Sequence, residues 1–511
     1  MNMGEKPAMG QKNEARLRAL LEEIEYLNNI SQTLSWDMRV TMPAAAADYR
    51  SREMGYLAGK RHALETSSEM GDLLTSLEQE APEDPILKAA VRQARRTYDR
   101  LKNVPADLYA AYAAHNLRTE HAWPAARANS DYESIRPLLA QEFAYQRELA
   151  ACYGYADDPL TGLMDRWEAG DTREEVDVLF ARLKKALVPL LQELRDLPQP
   201  DRTPLRGAFP REKQKALCHA VLEAVGFDFS RGRVDESAHP YTTFNHRRDV
   251  RITCRYFEDD FTRAVGSSLH EGGHAIYWQN LGEELAGTGL DRSASLALDE
   301  AQARFLECML GRSLPFWQWA LPLAARYFPV LSGQDPEAFW RGLNGLTVSP
   351  LRLGADELTY TLHILLRYEL EKELFDGTLS FRDLPEAWNE KTEQYLGVRP
   401  RNDGEGVLQD MHWFSGYIGY FQSYALGNLY AAQFLGAMER DLPDLFDRVR
   451  RGDFAAVKAW NGRHIHRFGA LKPARDILRD ATGEGLDTGR YIDYLQEKYA
   501  RIYGRQAYKK I

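Results

Sequence analysis

Five consecutive residues, His270-Glu271-Gly272-Gly273-His274, constrain this 511-residue chain more than any other stretch. On an α-helix, His270 and His274 project from one face about one turn apart. Two imidazoles at that spacing can occupy two corners of a tetrahedral zinc site and leave Glu271 beside the open corner. A carboxylate there can take a proton from a zinc-bound water, whose pKa the metal has lowered towards roughly 7. The motif therefore predicts hydrolase chemistry.

The residues around the motif predict a buried helix. Val265, Leu269 and Ile276 flank it with apolar side chains. Gly272 and Gly273 each cost a helix about 1 kcal/mol relative to Ala, which indicates a close approach of another element or access for a ligand. The alternative is a solvated helix face with two histidines that bind nothing. A buried histidine pair needs partners, and this favours the metal site.

Composition narrows the classes of function. The chain carries 65 basic and 75 acidic residues, a net charge of −10, which argues against a nucleic-acid partner. No 18 apolar residues run together and no apolar leader opens the chain, so we expect no membrane association. The four cysteines form no CxxC pair, which favours buried free thiols in a reducing compartment. We expect a cytoplasmic protein.

The chain contains no obvious linker or internal repeat, so we predict one domain over residues 1–511. Its fold class is predicted as mostly α-helical, a large helical body around a deep groove. We expect residues 1–14 to be disordered, residues 15–66 to form a helical hairpin, and residues 237–310 to form a strand-plus-helix catalytic core.

Helical periodicity supports the hairpin, with interruptions predicted at Trp36-Asp37 and at Thr41-Met42-Pro43. Further helices are predicted over about 85–121, 133–152 and 172–196.

The pattern changes to period two shortly before the histidine motif. Val250, Ile252 and Cys254 alternate with polar residues, which is typical of a strand, and residues 241–244 provide a hairpin partner. The edge of this strand could pair with an extended peptide and lay it across the metal. The alternative, which the sequence supports equally, is a small hairpin with a purely structural role.

Two histidines need a third protein ligand. Glu300 lies in a helical pattern after the motif, and Arg304 one turn further on could orient a ligating carboxylate. Asp299 and Glu307 are nearby, so spacing alone makes Glu300 only the best of three candidates.

Two later stretches, residues 352–360 and 408–421, carry unusual polar density. A hydrolase of this kind needs hydrogen-bond donors where a carbonyl oxygen becomes an oxyanion, and His or Tyr side chains can supply them. We interpret His412 and Tyr420 as functional. Trp413, Phe414 and Phe421 are interpreted as members of an aromatic core.

Together these stretches resemble the carboxypeptidase Taq family of zinc metallocarboxypeptidases over nearly the whole chain. The motifs that carry the resemblance are Trp36-Asp37, Met42-Pro43, Arg50, His239-Pro240, Asp249-Val250-Arg251-Ile252-Thr253, the His270–His274 motif, Glu300 with Arg304, residues 355–360 and residues 409–413. The resemblance implies a nearly all-helical fold split by a deep groove. It also implies a homodimer that removes single residues from the C-termini of peptides.

The resemblance assigns roles residue by residue. It implies that His270, His274 and Glu300 bind zinc, with cobalt as a substitute. Glu271 is then the general base, and the predicted His412 and Tyr420 stabilise the tetrahedral intermediate.

Arg352 is predicted to hold the terminal carboxylate of the substrate, because a guanidinium matches a carboxylate bidentately. Arg251 is the second choice for that role. Tyr360 and Asp356 complete the predicted substrate-binding residues.

One segment departs from the family pattern. The family usually carries HESQSR, whereas this chain carries Asp299-Glu300-Ala301-Gln302-Ala303-Arg304. The ligand and the arginine are kept, so we expect the metal site to persist with altered surroundings.

Two alternatives stay open from the sequence. An oligopeptidase or dipeptidyl carboxypeptidase would share the zinc chemistry and differ in the bond it cuts. A helical protein that binds metal without catalysis would need a fourth protein ligand for a closed site, and no local Cys or His supplies one.

Overall fold

Helices dominate the computed structural model, which describes residues 9–505. The α-helices of this part of the chain are α1 (Met9–Val40), α2 (Ala47–Glu65), α3 (Ser68–Glu80), α4 (Pro85–Lys102), α5 (Ala106–Asn129), α6 (Tyr132–Cys152), α7 (Pro159–Met164), α8 (Arg173–Arg195), α9 (Arg211–Val225), α10 (Phe261–Gln279), α11 (Leu296–Arg304), α12 (Leu314–Tyr327), α13 (Pro336–Asn344), α14 (Glu357–Asp376), α15 (Leu384–Leu396), α16 (Gln422–Asp441), α17 (Leu445–Arg450), α18 (Ala455–His464), α19 (Ala474–Thr482) and α20 (Gly489–Ile502). A π-helical turn, Phe305–Leu310, continues α11. The predicted fold class, mostly α-helical with a small sheet, is confirmed.

The N-terminal hairpin departs from prediction in two places. Helix α1 runs through Trp36-Asp37 to Val40, so the interruption predicted there was wrong. Trp36 instead packs into the fold, 6% exposed, with the Arg251 guanidinium 4.7 Å from its ring centroid. Residues 9–14, which were expected to be disordered, belong to α1, while residues 1–8 lie outside the described part.

The predicted helical stretch over 85–121 is two helices, α4 and α5. The break falls at residues 103–105, where Pro105 precedes the first turn of α5. Proline disfavours a helical conformation in the residue before it, so one helix ends and another begins there. The stretches predicted over 133–152 and 172–196 agree with α6 and α8 within a residue or two.

Two apolar cores hold the described chain together. The larger extends from α5 to α20 and surrounds α10, α11, α14 and α16. The smaller lies between α1, α3 and α4, and the body contributes Leu285, Leu290 and Ala470 to it. Apolar side chains of the hairpin and of the helical body therefore pack together and hold the hairpin in place. None of the helices in residues 9–505 combines the length and hydropathy that crossing a bilayer requires.

A three-stranded sheet lies just before α10 in sequence. Its strands are β1 (Gly232–Glu236), β2 (Thr242–His246) and β3 (Asp249–Cys254), in the order β1-β3-β2. The antiparallel β2–β3 hairpin was predicted, whereas β1 lacks an alternating pattern and was not. Because β1 and β2 cover both edges of β3, an incoming peptide cannot pair with β3 as one interpretation proposed.

The buried face of β3 positions α10. Val250, Ile252 and Cys254 are fully buried, as their alternation predicts, and the Cys254 thiol lies 2.8 Å from the hydroxyl of Ser268 on α10. The four cysteines form no disulfide, and all but the half-buried Cys152 are buried.

Candidate active site

His270, His274 and Glu300 converge on one point. The Nε2 atoms of both histidines lie 3.8 Å from Oε2 of Glu300, and one ligand atom from each residue falls within 4.8 Å of the others. The histidines lie one turn apart on α10, and the glutamate lies on α11. The structure thus brings together the three predicted metal ligands.

Asp299 and Glu307, the other two candidates for the third ligand, bind the histidine rings instead of facing the common point. Asp299 Oδ1 accepts a hydrogen bond from Nδ1 of His274 at 2.9 Å, and Glu307 Oε2 accepts one from Nδ1 of His270 at 3.0 Å. With Nδ1 donating to a carboxylate, the Nε2 atom of each ring is directed at the common point. Such carboxylate–histidine pairs orient metal ligands and raise their basicity.

The three residues fit a divalent cation. Glu300 is 5% exposed, and its Oε1 is buried without a hydrogen-bond partner among the described residues. Burial lowers the pKa of His270, but the carboxylates of Glu300 and Glu307 outweigh this effect and raise it to about 9. The site therefore has a negative potential and an unsatisfied ligand atom. Two imidazole nitrogens and one carboxylate form a donor set that zinc prefers, with a fourth position open.

Two glycines determine how closely α10 and α16 pack against α11, the helix that carries Glu300. A Cβ at Gly273 of α10 would lie 2.5 Å from the carbonyl oxygen of Gln302 on α11. A Cβ at Gly427 of α16 would lie 2.8 Å from Cγ of Glu300 itself. Helix α11 is therefore enclosed between α10 and α16 at backbone contact distance, which is the close approach that Gly272-Gly273 predicted.

Arg304 supports the same cluster. Its Nη1 donates to Oε2 of Glu307 at 3.0 Å, and its Nε donates to Oδ1 of Asn428 at 3.0 Å. The guanidinium also lies 4.5 Å from the ring centroid of Tyr360. Burial opposes ionisation of Glu307, but Arg304 and His270 hold the pKa of that carboxyl well below its usual range.

Glu271 lies beside the ligands and is held by the sheet. It is 7% exposed, and the Oγ1 atom of Thr242 on β2 donates to its Oε2 at 2.6 Å. The sequence did not single out Thr242. Its place in the hairpin beside the motif was the available signal, but register alone does not reveal a contact with a helix.

His412 lies in a turn before α16. Its Nε2 is 3.2 Å from the Tyr424 hydroxyl, while its buried Nδ1 has no hydrogen-bond partner in the described structure. Burial and the neighbouring Arg352 guanidinium lower the pKa of His412 to about 3. At pH 7 the ring is therefore neutral, with one N–H available as a donor.

Tyr420 lies eight residues further on, in the same group of side chains. Its ring centroid is 5.5 Å from that of His412 and 5.3 Å from that of Tyr424, and Trp167 packs edge-on against it at 4.9 Å. Burial and the Glu300 carboxylate raise the pKa of Tyr420, so its hydroxyl keeps its proton. Tyr424 was not identified from sequence, although its spacing of four from Tyr420 on a helix would place both on one face.

Arg352 is held in a buried ion-pair network. It is 9% exposed, and its Nε and Nη2 donate to Oδ1 of Asp410 at 3.0 and 2.8 Å. The other oxygen of Asp410 accepts from Nε of Arg367 at 2.6 Å. The Arg352 guanidinium also lies 5.4 Å from the Tyr424 ring centroid, which places the network next to His412 and Tyr420.

The remaining predicted substrate contacts differ in their surroundings. Arg251 forms a bidentate pair with Asp249 at 2.8 Å, within the sheet. Tyr360 lies between Arg304 and Arg352. Asp356 caps α14, because its Oδ1 accepts from the backbone N–H groups of Leu358 and Thr359. Substrate binding by these residues stays a prediction.

Known proteins share this architecture. The sequence profile of the carboxypeptidase Taq (M32) metallopeptidase family matches residues 16–499. The chain is 39% identical to Carboxypeptidase 1 of Bacillus subtilis (strain 168) over 495 residues, which covers 95% of this chain and 97% of that protein. It is 38% identical to Thermostable carboxypeptidase 1 of Thermus thermophilus over 507 residues, which covers 96% and 99%.

Solved structures agree with the sequence relatives. The crystal structure of an M32 carboxypeptidase from Deinococcus radiodurans R1 superposes with a TM-score of 0.94 at 35% identity, covering 96% of this chain and 100% of that one. Helices α10 and α11 thus bring together the histidines and the glutamate of a candidate metal site, within a fold and a sequence shared by carboxypeptidases. The chain belongs to the carboxypeptidase Taq (M32) family of metallopeptidases and is a metal-dependent carboxypeptidase.

Proposed function

We propose that this enzyme uses zinc to release single amino acids from the C-termini of peptides. The observation that carries the proposal is the convergence of His270, His274 and Glu300 with Glu271 adjacent to them. The relatives named carboxypeptidase support the reaction class.

His270, His274 and Glu300 would hold the cation. When bound, the cation supplies Lewis acidity and lowers the pKa of a water molecule from about 15.7 to about 7. Zinc suits two nitrogen donors and one oxygen donor in a tetrahedral site with one open position, and cobalt is the expected substitute.

Glu271 would act as the general base. Its orientation is fixed by Thr242, which donates to Oε2, and the carboxylate can accept a proton from water and later pass it to the leaving amine. A carboxylate whose orientation is fixed in advance loses little entropy when it takes part in the reaction.

His412 and Tyr420 would stabilise the oxyanion that forms from the scissile carbonyl. Both are half-buried. The imidazole is neutral and the phenol keeps its proton, so each has a hydrogen to donate. Donors in a desolvated site stabilise a developing negative charge more strongly than donors in water do.

Arg352 would bind the terminal carboxylate of the substrate. The Asp410 pair keeps its guanidinium in place, and Tyr360 and Tyr424 lie around it. Arg251 is the second choice. Tyr360 would contact the substrate beside Arg352, and Asp356 would act by fixing the start of the helix that carries Tyr360.

We also propose a homodimer located in the cytoplasm. The family resemblance supports the dimer, and four free cysteines together with a net charge of −10 support a reducing compartment without nucleic-acid binding. Sedimentation analysis of the purified protein tests the dimer directly.

Mass spectrometry of a mixed peptide set, incubated with zinc-loaded protein, tests the reaction. We expect stepwise loss of single C-terminal residues, which a chelator abolishes. Internal cuts or loss of dipeptides would make the enzyme an oligopeptidase or a dipeptidyl carboxypeptidase instead. No cleavage despite full metal content would favour the binding protein without catalysis.

Glu271→Gln separates catalysis from metal binding. The variant should keep its zinc, because Glu271 is not a ligand, and should lose hydrolysis. Unchanged turnover would rule out Glu271 as the base.

A further inference from the structure

Arg367 and Glu371 lie one helical turn apart on α14, and both are fully buried. An arginine and a glutamate at that spacing usually form a pair on a solvated helix face. Here each side chain is instead directed at the segment 410–420, which carries His412 and Tyr420.

The two residues hold that segment at different points. Arg367 binds Asp410, two residues before His412, at 2.6 Å. Glu371 accepts a hydrogen bond at Oε1 from the indole N–H of Trp413 and another at Oε2, at 3.2 Å, from the backbone N–H of Gly419. One carboxyl group thus joins the residue after His412 to the residue before Tyr420.

The far end of this connection is itself constrained. Gly419 has a φ of +65°, in the region that favours glycine, and a Cβ there would lie 2.8 Å from the backbone nitrogen of Met164 at the end of α7. Gly419 therefore has little freedom against α7. Because Glu371 binds both Gly419 and Trp413, it fixes Trp413, and hence the adjacent turn that carries His412, relative to Gly419.

We propose that Glu371 is a positioning residue, which sets His412 and Tyr420 relative to one another by bridging Trp413 and Gly419. The inference rests on the proposed function of those two side chains. Glu371 is not expected to touch the substrate, and its contacts do not include Asp410 or Arg352. Loss of the bridge should therefore affect the reaction step more than substrate binding.

The bridge requires a carboxyl group. Two N–H donors face two carboxyl oxygens, and both oxygens can accept. In Glu371→Gln the amide has one acceptor and one NH₂ group, so an N–H of the protein would face an N–H of the side chain. A buried donor without an acceptor is costly, and the segment should shift to relieve it.

The test compares Glu371→Gln with the zinc-loaded wild type. We expect kcat to fall about 10-fold to 100-fold, since a small displacement of catalytic groups has effects of that size, with KM and zinc content nearly unchanged. Hydrogen exchange of residues 411–420 should become faster. Glu369→Gln is the matched control, because Glu369 lies on the same helix but faces Lys184 and Lys391.

A second variant keeps the test informative if Glu371→Gln is merely unstable. Trp413→Phe removes the indole donor, so in that background the Gln oxygen can accept from Gly419 without an opposed N–H. Because the Trp413 side of the bridge is already broken in Trp413→Phe, Glu371→Gln should lower kcat less in that background than in the wild type. Losses of kcat that multiply in the double variant would contradict the bridge.

Failure of the inference and failure of the proposed function give different results. A wild type that releases no C-terminal residues contradicts the proposed function, whatever Glu371 does. An active wild type with unchanged kcat and unchanged exchange of residues 411–420 in Glu371→Gln overturns the positioning role.

Discussion

The hydroxyl of Thr242 donates a hydrogen bond of 2.6 Å to one carboxylate oxygen of Glu271. A residue of β2 thereby controls the orientation of a carboxylate on α10. The small sheet thus holds the proposed general base, although no strand of it carries a proposed metal ligand.

Thr242→Val should lower kcat about tenfold without changing zinc content. The substitution keeps the shape of the side chain and removes one hydrogen bond to a charged acceptor, which contributes about 1.5–3 kcal/mol, and 1.36 kcal/mol corresponds to a tenfold change in rate. Steady-state kinetics and metal analysis measure both quantities. Thr242→Ser keeps the hydroxyl and is the control; if it loses as much activity as the valine variant, orientation of Glu271 is not the reason.

Asp299→Ala should weaken zinc binding about 10-fold to 100-fold, because partners of metal-bound histidines contribute that much to affinity. The substitution leaves Nδ1 of His274 without its acceptor at 2.9 Å and frees the ring to rotate. Competition with a chelator measures the dissociation constant. Asp299→Asn, which keeps an acceptor oxygen, should lose less affinity than Asp299→Ala; equal losses would show that the hydrogen bond does not orient His274.

Docking of the N-terminal hairpin should weaken as the pH rises towards 8. Glu25 of α1 lies against Asp291 of the body, and burial together with the Asp291 carboxylate raises the pKa of Glu25 from 4.5 to about 7. Charged or titratable neighbours of the pair are Glu22, His246 and Arg292. A carboxyl whose pKa is raised in the folded state contributes its full stabilisation of that state when the pH is below its unfolded-state pKa of 4.5. This contribution is lost as the pH rises through about 7.

Hydrogen exchange of α1 measures this effect. Protection should be greater at pH 5.5 than at pH 8, and Glu25→Gln should reduce the difference. Glu23→Gln, on the exposed face of the same helix, should leave it unchanged. Protection of α1 that does not vary with pH in the wild type would contradict the prediction.

Arg352→Lys should raise KM for peptides with a free C-terminus by about 10-fold or more, because lysine cannot reproduce bidentate binding of a carboxylate. Peptides with a C-terminal amide should be poor substrates of both enzymes. Steady-state kinetics on paired acid and amide peptides provides the comparison. If Arg251→Lys raises KM instead, the carboxylate binds at the sheet.

The local parts of the site could be predicted from sequence because spacing fixes them. The four-residue separation of His270 and His274 determines their common direction on any helix. Glu300 was one of three candidates for the third ligand, since helical periodicity cannot tell which carboxylate faces a ligand and which faces a histidine ring. In the structure, Glu300 lies near the Nε2 atoms of both histidines, whereas Asp299 and Glu307 each bind an Nδ1 atom.

Long-range contacts could not be predicted for a different physical reason. Arg367 and Glu371 have the spacing of an exposed ion pair, and only the packing of segment 410–420 against α14 buries them. Strand β1, with the sequence Gly-Arg-Val-Asp-Glu, has no apolar alternation because parallel pairing to β3, rather than burial of one face, defines it. The end of α1 was misplaced because Trp36 was interpreted as a helix breaker, whereas it packs under Arg251 and remains helical.

The glycines on both sides of α11 also limit how this enzyme can change. Gly273 and Gly427 have no space for even one methyl group. The distances between α11 and its neighbours α10 and α16 therefore cannot be changed by substitutions on the contact faces. Changes of metal preference that keep the three proposed ligands are therefore expected at the polar side chains around them, not at these contact faces. Asp299, Glu307 and Arg304 are the adjustable parts, and directed evolution of metal use should accumulate its changes there.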